Sequence, residues 1–116
     1  MPYSTGNGLR IHYEVCGEGP PMVLIHANPF DHRLWLYQVA HFSAWFTVVS
    51  IDIRGYGRSD KPTAAFSLRD MAEDVLAVCV DLQITEAVVM GASVGSGIAL
   101  MLGLERPALC KALVLV

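Results

Sequence analysis

The segment of this chain best suited to chemistry is Gly91-Ala92-Ser93-Val94-Gly95. G-x-S-x-G set between an apolar run and a helix is the pattern of a nucleophile elbow. The turn is so tight that the residues two before and two after the serine must lack bulk, which Gly91 and Gly95 satisfy. Ser93 is then expected to project into solvent at the carboxyl end of a strand, beside the amino end of the next helix. There the backbone N–H of Val94 would face a developing tetrahedral oxyanion, and the helix dipole favours that charge. The chemistry would be nucleophilic acyl transfer.

Two more segments complete a constellation. After the apolar run Met22 to Ile25 comes His26-Ala27-Asn28-Pro29, whose backbone at Ala27 or Asn28 could lend a second oxyanion donor. His26 reads as a brace for that loop. After Ile51 comes Asp52-Ile53-Arg54-Gly55-Tyr56-Gly57-Arg58-Ser59, where a buried acid, Asp52, and Arg54 can brace a glycine turn. These two are assigned to structure rather than to catalysis. His12, His32 and His41 precede the serine and read as surface or helix residues. A serine without a base is an ordinary alcohol, and an oxyanion hole alone leaves weak residual catalysis.

The elements that must position these loops are legible in the hydrophobic pattern. Leu9 to Val15 alternates apolar and polar residues and then meets Gly17-Glu18-Gly19-Pro20, as a half-buried strand followed by a turn would. Met22 to Ile25, Thr47 to Ile51 and Ala87 to Met90 read as buried strands, and Ala112 to Val116 as a fifth, parallel strand with nothing covering its edge. Asp31 to Ala44 has the length of a helix, with Asp31 placed to cap it. A second helix starts at Ser67, where Ser67-x-x-Asp70 is a short-armed capping box, and its acids Asp70, Glu73, Asp74 and Asp81 read mostly as a solvated face rather than a site. Val94 to Leu104 is a third helix, ended before Pro107. Strands alternating with helices predict an α/β fold, a mostly parallel sheet with flanking helices. The three loops follow carboxyl ends of strands, where open α/β sheets bind ligands.

Composition narrows the class. The 116 residues carry 8 Lys+Arg against 11 Asp+Glu, a formal net charge of -3, so no basic surface is available for nucleic acid. Hydrophobic residues make up 53% of the chain, and with 10 glycines added this exceeds the apolar share of ordinary globular domains, roughly 45–50%. Such a content suits a core piece of something larger. Three cysteines, Cys16, Cys79 and Cys110, are widely spaced without C-x-x-C, which argues against a disulfide framework and against a zinc site. No secretory signal is visible, and the expected setting is cytoplasmic. Ala87 to Leu104 lacks charge, but a buried strand running into a buried helix explains it better than a membrane span.

The order of these motifs resembles that of the α/β-hydrolase superfamily, whose members carry H-G-x-P, D-x-R-G-x-G-x-S and G-x-S-x-G in this sequence. The resemblance runs from Leu9 to Val116. It implies Ser93 as nucleophile, Val94 with Ala27 or Asn28 as oxyanion hole, and no cofactor or metal. Ala27 stands where glycine is usual after the histidine, Ala92 where histidine is common, and Ser96 where a third glycine is frequent. The family's triad acid and histidine follow the nucleophile, so residues 1–116 are expected to be the amino-terminal half of one domain, truncated after the strand that follows the nucleophile helix. That half is expected to be inactive alone, and to self-associate through its sheet edge or to bind a carboxyl-terminal half. Haloalkane dehalogenases and epoxide hydrolases share the framework but use an aspartate nucleophile. A small carboxylic ester, lactone or related acyl substrate therefore fits Ser93 better, with esterase-like and enol-lactonase-like members nearest.

Two other readings use the same residues. A non-catalytic relative would keep the pocket and bind a small ligand without turnover. Gly91-Ala92-Ser93-Val94-Gly95-Ser96-Gly97 also resembles the nucleotide loop of short-chain dehydrogenases, which follows the first strand and needs a ribose-binding acid about 20 residues on. Here at least three strands precede the loop, and Lys111 to Val116 holds no acid.

Overall fold

The computed structural model describes residues 2–116. Its centre is a six-stranded mixed sheet: β1 (Tyr3–Ser4), β2 (Ile11–Cys16), β3 (Pro21–Ile25), β4 (Thr47–Ile51), β5 (Ala87–Gly91) and β6 (Cys110–Leu115), in the spatial order β1-β2-β4-β3-β5-β6. The run β4-β3-β5-β6 is parallel, as β-branched buried runs joined by helices require. β2 is antiparallel to β4, because the short turn after Cys16 cannot make a crossover. β1, which the sequence pattern does not announce, adds an antiparallel edge of two residues.

The pleat divides the interior in two. Val23, Ile25, Val49, Ile51 and Val89 face one side and pack on α2 (Leu68–Asp81) and α3 (Val94–Glu105) through Val75, Val78, Cys79, Ile98 and Leu102. Met22, Leu24 and Val48 face the other and meet Trp35, Val39 and Phe42. These last lie on a segment expected as one helix over 31–44. It forms instead a 3-10 turn, His32–Trp35, followed by the short α1 (Leu36–Phe42). Asp31 caps the turn, accepting from the Arg33 amide at 2.9 Å. The capping box at Ser67 and Asp70 is present in both directions. The uncharged stretch 87–104 resolves into β5, a turn and α3, and no helix among the described residues is long and apolar enough to cross a membrane. The three cysteines are free. β6 lies at the sheet edge, with Val114 and Leu115 exposed.

The expectation for Asp74 is also overturned. Asp74 does not belong to a solvated face: it is buried on α2 and accepts a forked pair of bonds from Arg54, at 2.6 Å from Nε and 2.8 Å from Nη2. The acid lies on the buried stripe of α2 because the loop after β4 brings a guanidinium to it, and the pair holds the Arg54 group above its usual value. The Arg54 guanidinium also stacks over Phe66, 5.2 Å from the ring centroid. The pair thereby fixes the loop that follows β4 to the helix before β5. Asp74→Ala would leave the guanidinium buried without its counter-charge, a loss of about 3 kcal/mol or more. Urea unfolding is expected to read that loss, while Asp81→Asn at the exposed end of α2 should stay within about 0.5 kcal/mol of the parent.

Candidate active site

The turn between β5 and α3 holds Ser93 at φ 55°, ψ −116°, a left-handed conformation that non-glycine residues rarely adopt. Backbone bonds enforce it: the Ser93 amide donates to Val116 O at 3.0 Å and the Ala92 amide to Ile25 O at 3.1 Å. The Gly95 amide closes the turn onto Ala92 O at 2.9 Å. A Cβ at Gly91 would overlap the carbonyl of Gly95, and one at Gly95 would overlap the Ile25 carbonyl oxygen. Both glycines are therefore demanded by backbone contact, not by flexibility. Ser93 itself is exposed. Val94 is the first residue of α3, so its amide has no intrahelical acceptor.

The loop after β3 runs beside this turn, since Gly95 lies against the carbonyls of both Ile25 and His26. Ala27 is half-buried and Asn28 exposed. His26 is fully buried, and its roles are fixed by its partners. The Ile53 amide donates to Nε2 at 2.9 Å, so Nε2 carries no proton, and Nδ1 donates to Ala27 O at 2.8 Å. The ring thus ties the β3 loop to the β4 loop as a neutral imidazole, with both nitrogens occupied.

Asp52 lies at the end of β4, buried beneath Gly57, where a Cβ would strike its carboxylate. It accepts from the amides of His32 at 2.7 Å and Arg58 at 3.0 Å. It also accepts from Nδ1 of His32 at 2.7 Å and of His12 at 2.9 Å. Asp52 holds the glycine turn from beneath, and Arg54 ties the loop after β4 to α2 through Asp74.

His12 and His32 need correction. His12 is a wholly buried residue of β2, and His32, half-buried, is locked onto Asp52 in the 3-10 turn. Alternation along β2 places His12, Glu14 and Cys16 on one face, but only the pairing of β2 with β4 brings His12 to Asp52. His41, exposed on α1, meets Phe42 and Trp45 edge to face. All four histidines therefore have surroundings other than Ser93.

The turn carries a steric prediction. Gly95→Val should destabilise by more than about 2 kcal/mol in chemical denaturation, because β3 backbone cannot retreat from the new side chain. The buried groups carry an acid-side one. Burial holds His26 below the ordinary imidazole value, so the unfolded chain takes up that proton first as the pH falls below about 6.5, and stability declines there. Burial by itself would raise the Asp52 carboxyl, but the bonds from Arg58 and His32 outweigh it and hold it below the ordinary value. Its contribution is present above about pH 4 and is lost as the pH falls through the folded value. Urea midpoints measured against pH should fall in these two stages, and His26→Gln should remove the first while leaving the second. Stability independent of pH between about 7.5 and about 5 would contradict the His26 assignment.

Comparison with known proteins places this geometry in context. The family model described as alpha/beta hydrolase fold matches residues 20–116. A soluble epoxide hydrolase from a Corynebacterium species is 37% identical over 93 residues, covering 80% of this chain and 32% of that protein. The solved structure described as Est816, an N-acyl homoserine lactone degrading enzyme, superposes with a TM-score of 0.96 at 36% identity, over 99% of this chain and 44% of that one. The enol-lactonase from Burkholderia xenovorans LB400 superposes with a TM-score of 0.93 at 30% identity, over 97% of this chain and 45% of that one. The chain spans about a third of the length of the curated relatives it matches. With a family match over residues 20–116 and the serine turn seated between β5 and α3, the chain belongs to the α/β-hydrolase fold family.

Proposed function

We propose that the protein to which these residues belong is a serine hydrolase of small carboxylic esters, lactones or related acyl compounds. The observation that carries this reading is the left-handed Ser93, exposed between two glycines that no other residue can replace without backbone overlap. In this turn, a nucleophile elbow, Ser93 Oγ attacks the acyl carbon. Its proton passes to a base and the carbonyl oxygen becomes an oxyanion. As this collapses to the acyl-serine, the ester C–O bond breaks and the base returns the proton to the departing alcohol. Water then cleaves the acyl-serine with help from the same base. The Val94 amide, and the Ala27 or Asn28 amide from the adjoining loop, stabilise the oxyanion. His26 keeps that loop in place and is not the base, since both ring nitrogens are engaged. The lactone-degrading enzyme and the enol-lactonase support the acyl class. The epoxide hydrolase relative fits less well, because a serine stands where that chemistry calls for a carboxylate.

The base and its orienting acid are assigned to sequence beyond these 116 residues, as none of the four histidines is turned to Ser93. The exposed edge at β6 is where a complementary carboxyl-terminal half, or a second copy, would pair. The same observation favours one alternative, a relative that binds a small ligand without turnover. In a longer protein containing this segment, Ser93→Ala should lower kcat on a p-nitrophenyl ester by several orders of magnitude, and a fluorophosphonate should label Ser93. Residues 1–116 alone should give no turnover above their own Ser93→Ala control. More than about a tenth of the parent kcat in a folded Ser93→Ala protein would remove the nucleophile assignment, and absence of labelling would favour the ligand-binding alternative.

A further inference from the structure

A second cluster gathers around Asp52, and the serine chemistry makes no use of it. His12 Nε2 is buried and has no hydrogen-bond partner among the described residues. It faces Glu14 Oε2 at 3.6 Å, and His32 Nε2 faces the same oxygen at 3.2 Å. These three atoms all lie within 4.8 Å of one another. Asp52 sits behind both rings and can only accept, so each Nδ1 carries a proton, and a ring with no second proton presents its Nε2 lone pair toward Glu14. This is the arrangement in which a carboxylate fixes the tautomer and orientation of metal-binding imidazoles.

We propose that His12 Nε2, His32 Nε2 and Glu14 Oε2 form a binding site for a divalent transition-metal cation of the zinc type. Spacing supports it: ligands about 2.0–2.1 Å from a tetrahedral zinc stand about 3.3 Å apart, between the two separations seen here. Charge supports it as well. Two imidazoles, which ligate in their neutral form, and the Glu14 carboxylate, with Asp52 behind them, offer two negative charges to a dication. Two histidines and a glutamate are a known zinc donor set with an open fourth position. Here that position has room, since Glu14 and His32 also line a cavity of about 340 Å³ shared with Cys16, Arg33, Leu36 and Val39. The nearby Arg33 guanidinium is turned away to Asp31, at 2.7 Å. A bound cation also gives the buried His12 Nε2 the partner it lacks. The wide spacing of the cysteines, which argues against a cysteine-built zinc site, does not bear on one made of imidazole and carboxylate.

The test is titration of the chelator-treated chain with Co²⁺, read by its visible ligand-field absorption, and by calorimetry with Zn²⁺ as competitor. One equivalent of saturable binding is expected. Glu14→Gln and His32→Ala should each weaken it by about tenfold or more, whereas His41→Ala, on exposed α1, should leave it unchanged. His12 is fully buried, so the weight rests on the conservative Glu14→Gln and on the half-buried His32, with folding checked by circular dichroism. Absence of saturable binding by the parent chain would overturn the proposal. So would parent-like Co²⁺ affinity in both variants, or loss of binding in His41→Ala.

Discussion

The backbone of α3 passes so close to the end of β3 that no side chain fits between them. Gly95 lies on the carbonyls of Ile25 and His26, Gly91 lies on the carbonyl of Gly95, and the Ala92 amide donates to Ile25 O. This contact sets the rest. It forces the chain at Ser93 into the left-handed region, directs that residue to solvent and starts α3 immediately after it. It also holds the end of β3, at the carbonyls of Ile25 and His26, against the first turn of the helix. Strain of this kind persists only where surrounding structure over-determines it. Here the parallel pairing of β5 with both β3 and β6 does so, with the amide of Ser93 anchored on Val116.

A second layer of order comes from buried polar groups that connect loops rather than strands. His26 joins the β3 loop to the β4 loop through two hydrogen bonds. Asp52 joins β2, the 3-10 turn and the glycine turn, and Arg54 with Asp74 joins the β4 loop to α2. Buried polar groups are costly unless satisfied, and a satisfied network specifies one arrangement of the segments it joins. All of these groups stand at the carboxyl ends of β3 and β4 or reach them from β2 and α2. The region that carries Ser93 is therefore held by directional bonds as well as by packing. On the opposite face of the sheet, Trp35, Val39 and Phe42 provide a smaller apolar cover.

The family resemblance and the geometry agree on scaffold and leave chemistry to the site. Relatives with the same fold include both lactone-acting enzymes and an epoxide hydrolase, so the fold by itself does not select the reaction. What separates the readings in this chain is one side chain in the turn: a serine hydroxyl needs a base, and the four histidines of these residues face elsewhere.

The sequence by itself determined those features that depend on local physics. Short apolar runs marked four of the six strands and alternation over Leu9 to Val15 a fifth, periodic apolar positions with a Ser67–Asp70 box marked α2, and the spacing of Gly91 and Gly95 about Ser93 marked the turn. It also indicated that Asp52 and Arg54 need partners, because an acid and an arginine in an apolar setting require them. Only the tertiary structure decided which partners. The two-residue β1 carries no periodicity to detect, and the break of 31–44 into a 3-10 turn and α1 follows from the bonds His32 makes to Asp52. Asp74 looks like its solvated neighbours until Arg54 arrives from 20 residues away. His12 is separated from Asp52 by 40 residues, and only the antiparallel register of β2 on β4 makes them neighbours. Hydrophobic periodicity reports which face a residue occupies, whereas the pairing of buried polar groups depends on contacts that periodicity does not encode.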